Sequence, residues 1–411
     1  MHKLLRFFYA SLVLAGILFS CVEDTDPDFE TEKFISIFDH TEFSAAFQAI
    51  DLAQTEDGGY IVLANRSINI EDQGIGSTNQ GIYLLKADKY GNFVSHLEVE
   101  DAYINALPQL TEIESNYYFF CTSPDQSYSA QLATVDADLQ GISFTPVNLM
   151  YPAASSYLGN TSNEFLVLSY NPADKESVVS KVNLSGSITS SESYSIGVGN
   201  DIVDEKISNH FARKGRIYPF QVGEVSSGLY FFNGFYDYAF SLVFVNLSSD
   251  APVARIQTEF DHVGFNTIVP LGGTSFATSQ FNLGDNFLLP KTSIPLSGMV
   301  NPVTFDNAYK IPEFASYAHV KILRTQLDEK NVLIYGSDTK SKQIGLLFYD
   351  ETTGELLGNR YLGFSNPFDL GNVIKTADGG LAVCGTTYIA GRFPRISISK
   401  LSKEEVEKIV R

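Results

Sequence analysis

IDLAQTEDGGYIVLANRS at residues 50–67 and NVIKTADGGLAVCGTT at residues 372–387 lie near opposite ends of a 411-residue chain and share one pattern. Thr55, Asp57, Gly58, Gly59 and Val62 fall on Thr376, Asp378, Gly379, Gly380 and Val383 without a gap. In both, Asp-Gly-Gly separates two β-rich runs. Asp bonds its own backbone two residues on, and Gly supplies positive φ at little steric cost, so each copy predicts a hairpin turn. One such turn is common. The same turn in the same flanks at both ends means a repeated supersecondary unit.

Fainter copies lie between the two. Strand-like runs begin near Tyr117 (YYFFCTS), Phe165 (FLVLSY), Leu229 (LYFFNGF), Phe276 (FATSQF) and Val332 (VLIYGSD). The series from Tyr60 to Leu381 therefore has seven members, spaced by about 47 to 64 residues, which is room for a four-stranded blade with variable loops. A second register follows the first. YLLKADKYGN, LATVDADLQG, VSKVNLSGSI, LVFVNLSSDA, LLFYDETTGE and ISISKLSKEE are apolar runs that end in polar turns, the third strand of six blades. The fifth blade lacks it, because LGDNFLLPKTSIPLSGMVNPVTF (283–305) carries three prolines, which cannot donate to a ladder and favour edges or loops.

The expected fold is therefore all-β, a β-propeller of seven four-stranded blades. Composition agrees, with 31 Phe, 22 Tyr and 31 Gly and few long amphipathic stretches. The chain resembles the β-propellers built from T-x-D-G-G-Y repeats that are common in secreted and lipid-anchored proteins of the Bacteroidota. The resemblance covers most of the chain from about residue 34, with the T-x-D-G-G core of the motif intact in the first and last repeats. It implies that FISIFDH (34–40) supplies, through Phe34 to Phe38, the outer strand of the last blade. The ring then closes by pairing of N- and C-terminal strands, a role that EEVEKIV (404–410) is expected to share.

The first thirty residues carry a different message. His2, Lys3 and Arg6 precede an apolar stretch from Leu4 to Phe19 that is short for a spanning helix and reads as a secretory signal. Leu18-Phe19-Ser20-Cys21 resembles a bacterial lipobox, which implies lipidation at Cys21; the alternative is a plain secretory signal. Glu23, Asp24, Asp26, Asp28 and Glu30 then resemble the acidic export signal of Bacteroidota surface lipoproteins, or form a solvated linker. The expected organisation is a signal peptide over 1–20, a lipidated acidic tether over 21–33 and a propeller over 34–411. Several acyl chains hold firmly, since each buried methylene contributes about 0.8 kcal/mol. The expected location is the outer membrane, lipid-anchored and facing outward.

Removing the signal moves the formal net charge from −20 to about −22, which disfavours nucleic acid and suits a basic partner or an anionic surface. Cys121 and Cys384 sit in strand runs of blades two and seven, with blade one between them. A disulfide needs Cα atoms within about 7 Å, so both are read as buried thiols.

Catalytic signatures are sparse. The chain holds no G-x-S-x-G, H-E-x-x-H or C-x-x-C, and the two S-x-x-K matches, Ser337 to Lys340 and Ser397 to Lys400, fall in strands or turns, where Ser and Lys do not share a face. His40, His96, His210, His262 and His319 have no histidine partner at helical or hairpin spacing. His40 and His262 each follow an Asp in a loop entering a blade, where a composite site could assemble. Asp57, Gly58, Gly59, Asp378, Gly379 and Gly380 are read as structural turns, and no metal or cofactor is expected.

Tyr-rich polar segments YNPADKESVV (170–179), FNGFYDYAF (232–240) and NAYKIPEFASYAH (307–319) are the candidate contact surfaces, and Trp is absent. The expected function is a non-enzymatic, protein-binding accessory subunit of an outer-membrane complex, for nutrient import or outer-membrane protein assembly. The alternative is a polysaccharide-binding protein or glycan-degrading enzyme.

Overall fold

The computed structural model describes residues 33–40, 45–67, 79–159, 162–199, 201–300, 308–389 and 393–411. The signal, Cys21 and all of the acidic tether but Lys33 lie outside the described residues. Lys33–Arg411 forms one compact unit.

Seven sheets follow one another along the chain, each built on antiparallel strands A to D from the axis outward; the fourth blade adds a fifth strand and the seventh takes its outer strand from the N-terminus. The second strands of the seven blades are Tyr60–Ser67, Asn116–Thr122, Glu164–Asn171, Leu229–Tyr236, Ser275–Asn282, Lys330–Asp338 and Leu381–Thr387. Each coincides with one of the seven runs expected from the repeat. Third strands such as Gln80–Ala87, Ser129–Asp136 and Arg395–Leu401 coincide with the second register.

Apolar packing explains why these two strands are the most apolar. Side chains alternate between the faces of a strand, and in a propeller both faces are covered by neighbouring blades. Ile61 and Leu63 enter the core between blades one and two, while Tyr60, Val62 and Ala64 enter the core between blades seven and one. The remaining five interfaces are filled in the same way, for instance by Phe120 with Phe165 and by Phe244 with Phe276. Cys121 belongs to the first of these cores and Cys384 to the other flank of blade one, and both are free and buried.

The ring closes at blade seven. Phe34–Phe38 pairs antiparallel with the third strand of that blade, from Phe34 opposite Lys400 to Phe38 opposite Ile396. Its side chains dock on blade one: Gly91, in the turn between the third and fourth strands there, has φ +81°, and a Cβ added to it would stand 2.4 Å from the Phe34 ring. The C-terminal segment does not share this role. Lys403–Val410 is a helix, because Ser402 and Glu405 form a reciprocal capping box, which favours a helix start over an extended strand. Lys408 with Glu404 and Arg411 with Glu407 add i,i+4 pairs. The helix buries Val406 and Val410 in the core between blades six and seven.

Blade five has its third strand after all, Asp285–Ser293, and a two-residue fourth strand, Tyr309–Lys310. Between them Gly298–Val300 crosses to blade four and pairs in parallel with Ala254–Ile256, so blade four holds a fifth strand. The proline-containing insertion thus covers a neighbour's edge, where a missing N–H costs least.

A further helix, Asp201–Phe211, interrupts the connection from blade three to blade four. Val203, Ile207 and Phe211 recur every four residues and are buried. They pack with Tyr170, Phe235 and Phe240 over blades three and four. No helix among the described residues is long and apolar enough to cross a membrane.

Deleting Phe34–Phe38 removes a five-residue ladder and leaves the Arg395–Leu401 edge unpaired. We expect the melting temperature to fall by several degrees, checked by calorimetry; an unchanged midpoint would refute the closing role.

Candidate functional site

The meander decides which loops meet. Strand A runs from one face to the other, so the D-to-A connections and B-to-C turns share one face, called here the upper face, while A-to-B and C-to-D turns share the lower. Exposed apolar side chains divide unequally between them. Val198, Ile202, Tyr238, Leu283, Tyr317 and Phe364 lie on upper-face loops, with Val198 89% and Leu283 72% exposed. Tyr388 and Phe393 are there too. On lower-face turns the described residues offer Tyr90 alone of this size. Turns in all three Tyr-rich segments, around residues 172–175, 237–238 and 311–319, fall on the upper face.

That face also opens into the channel. Three cavities, of about 320, 540 and 410 Å³, all reach His319. The first is walled by the inner strands of the blades and by His210, Phe211 and Arg213 at the end of the blade three-to-four helix. His319 is exposed to this space and lines all three cavities. Desolvation by the surrounding protein, with Lys321 and Arg216 nearby, pushes its pKa down to about 4, so the ring is neutral at physiological pH. Burial also lowers His210 well below its usual value; its Nδ1 accepts the Tyr218 N–H at 3.1 Å, which leaves the ring proton on Nε2.

Fixed charges frame these neutral rings. Arg216 lies over Phe281, Tyr317 and Tyr218, 4.4, 4.9 and 5.2 Å from their centroids, and donates to the Asp261 carbonyl. The Asp261 carboxylate accepts from Lys206 at 2.7 Å and from the Tyr218 hydroxyl at 2.6 Å. Burial raises its pKa, but these two bonds outweigh that and hold it below the usual range. On the opposite wall, Asp338 and Asp369 border the same cavity as Lys342. Burial carries Asp338 up to about 7 despite a 2.6 Å bond from the Leu370 N–H. The mouth thus combines cationic, neutral and weakly acidic groups with exposed aromatics, a lining suited to a polar ligand or a partner's loop.

The histidines read singly in the sequence divide in two. His210, His262 and His319 belong to the channel mouth. His40 and His96 meet elsewhere, at the seam of blades seven and one, with ring centroids 6.1 Å apart and Glu98 beside them. His40 and His262 form no common site. Neither S-x-x-K pair assembles: the Ser337 hydroxyl donates to the His319 carbonyl, Lys340 to the Pro312 carbonyl, and Lys400 to Asp378.

The two Asp-Gly-Gly turns are near copies. Asp57 Oδ1 accepts from Thr55 and from the Gly59 N–H, and Asp378 Oδ1 from Thr376 and the Gly380 N–H. Gly58 and Gly379 have φ +82° and +86°. Each turn carries a partner that the sequence reading passed over. Lys86 and Lys400, both nearly buried, occupy equivalent third-strand positions, and their ammonium groups reach Asp57 at 3.6 Å and Asp378 at 2.8 Å. Aligning YLLKAD (83–88) with SISKLS (397–402) exposes the shared lysine, so the signal was present.

No protein-family model matches the chain, and no curated protein matches it. Among solved structures it is similar to the Trypanosoma rangeli sialidase in complex with sialic acid, at 9% identity and a TM-score of 0.43, over 91% of this chain and 58% of that one. It is similar to the β-propeller domain of the Trilobed protease from Pyrococcus furiosus, at 7% identity and TM-score 0.47, over 88% and 95% of the two chains. A chain of the mitotic checkpoint complex aligns at 7% identity and TM-score 0.46, over 89% and 91%. The chain spans 58% of the length of the sialidase it matches.

The raised pKa of Asp338 makes a stability prediction. Between about pH 4 and pH 7 the folded state holds a proton that the unfolded state has lost, so stability falls as pH rises through this window. Asp338→Asn keeps an acceptor for the Leu370 N–H and removes the titration. The variant should melt several degrees above the parent at pH 8, with the gap closing toward pH 4. A gap independent of pH in thermal melts would contradict the assignment.

Proposed function

We propose that the chain is a lipid-anchored, cell-surface propeller that works as a non-enzymatic, protein-binding subunit of an outer-membrane complex, in nutrient import or outer-membrane protein assembly. The observation that carries the reading is the one-sided distribution of exposed Val198, Leu283, Tyr317 and Phe364. Large exposed apolar side chains gathered on one face mark an interaction surface more than a solvated one, and aromatic residues with Arg are what protein interfaces concentrate. Anchoring at Cys21 would restrict the search for a partner to the membrane plane. The excess of acids favours a partner with basic patches.

Mild detergent extraction at native expression, followed by affinity purification, tests this. A stoichiometric partner should be recovered with the parent chain and with Tyr90→Asp on the lower face. It should be lost, at least tenfold, with Leu283→Asp combined with Phe364→Asp. Recovery of the protein alone, or equal retention in every variant, refutes it. Cys21→Ser should move the protein from the membrane fraction to the soluble one.

A second reading, glycan binding or cleavage, is favoured by Asp338 and Asp369 lining one cavity with the first held near pH 7, the protonation behaviour a proton donor needs. It predicts saturable binding of an oligosaccharide that weakens at least tenfold in Asp369→Asn, measured by calorimetry.

A further inference from the structure

At the closing seam, two histidines and a glutamate distant in sequence come together. His96 and Glu98 lie two residues apart on the fourth strand of blade one, Phe93–Glu98, so both project from one face of it. His40 arrives from the other end of the seam, two residues after the closing strand Phe34–Phe38. One ligating atom from each, two imidazole nitrogens and a carboxylate oxygen, can be chosen so that all lie within 4.8 Å of one another. His40 Nε2 is 3.4 Å from Glu98 Oε1. With metal bonds of about 2.0–2.2 Å, neighbouring ligands on a tetrahedral ion stand about 3.3–3.5 Å apart. One pair already has that spacing, and the third atom stands no more than 4.8 Å from the other two.

The surroundings fix these rings in place. The His96 ring stacks on Tyr83, with centroids 5.4 Å apart and planes 17° from parallel, and Phe93 lies 5.9 Å away. His40 packs at 5.2 Å against Phe47. Its backbone N–H donates to Asp39 Oδ1 at 2.9 Å, and Asp39 is held in turn by the fully buried Arg395 at 2.8 Å. Buried Tyr83 and Phe47 belong to the core between blades seven and one, so both histidines stand at the rim of the same interface.

We propose that His40, His96 and Glu98 form a binding site for a divalent transition-metal ion of the zinc class. Two imidazoles and one carboxylate suit borderline ions such as zinc, cobalt and nickel better than magnesium or calcium, which prefer all-oxygen shells. Three protein ligands leave a coordination position for water. The ligands come from segments on either side of the closure. A bound ion therefore staples the segment after the N-terminal strand to blade one, and ties ring integrity to metal supply.

The test uses the full, untagged chain in detergent, stripped with chelator and titrated with cobalt and with zinc. One equivalent should bind, cobalt should give the visible absorption of a site with nitrogen ligands, and zinc at a hundredfold excess over Kd should raise the melting temperature by about 3 °C. His96→Ala and Glu98→Gln alter exposed side chains on an edge strand. Each should keep the metal-free melting temperature, weaken binding at least tenfold and lose the zinc-dependent rise. Magnesium should produce no rise. Failure of either ion to saturate, or affinity unchanged in His96→Ala or Glu98→Gln, overturns the site.

Discussion

Five backbone pairs between Phe34–Phe38 and Ile396–Lys400 hold the two ends of the chain in one sheet, and the other blades depend on that join. A propeller without it is an open array whose first and last blades each expose one apolar face and one unpaired edge. Closure is reinforced near the axis as well. Asp51, on the inner strand of blade one, accepts from the Leu110 N–H of the segment entering blade two at 2.7 Å and from Asn372 of blade seven at 2.5 Å. Burial raises the pKa of this carboxyl, and the Asn372 and Leu110 bonds oppose the rise. The seam is thus joined at the outer rim by main-chain pairing, in the middle by apolar packing, and near the axis by a polar knot.

The same geometry explains what could be read in the sequence. Second and third strands are covered on both faces, so their sequences become nearly continuous apolar runs such as YIVLAN and LLFY, visible without any partner. Inner strands face the channel and outer strands face solvent, so their apolar content is diluted. FVSHLE, for example, alternates exposed and half-buried positions. The ring and its closing strand were legible because repetition fixes register. Neither helix is read from the sequence: Ser402 and Glu405 carry a capping signal, and Val203, Ile207 and Phe211 a four-residue spacing, but both are brief departures from a β pattern, and 404–410 is expected to be a strand.

The candidate sites were less legible for a different reason. No local spacing relates His40 to His96, or His210 to His319, since the pairs are separated by whole strands or whole blades and meet only through the ring. The three Tyr-rich segments could be picked out by composition, yet their falling on one face follows from alternation of strand direction, which the segments themselves do not encode. Lys86 and Lys400 are the intermediate case, where the repeat contains the information one strand away from the aligned turn.

The two faces of the ring differ in how tightly the chain is constrained. On the lower face, turns such as Thr55 to Gly59 and Thr376 to Gly380 are closed by Asx bonds and by a buried lysine. A Cβ at Gly59 or Gly380 would stand 2.5 or 2.3 Å from a carbonyl oxygen of the adjacent strand. Little variation fits there. On the upper face the connections have room for a helix, for the 311–320 segment and for aromatic side chains that stay partly exposed. Rigid turns on one side fix the blades, and that rigidity lets longer loops on the other side hold His319, Arg216 and Asp338 around a common opening. With the proposed anchor at Cys21, tension along the tether would reach the fold first at Phe34, where the strand is paired to blade seven and packed on blade one. Asp39 and Arg395 then clamp the far end of the same strand. The element that closes the ring is therefore also the one that would carry the load, and adding strength at its far end, around His40, acts where both demands coincide.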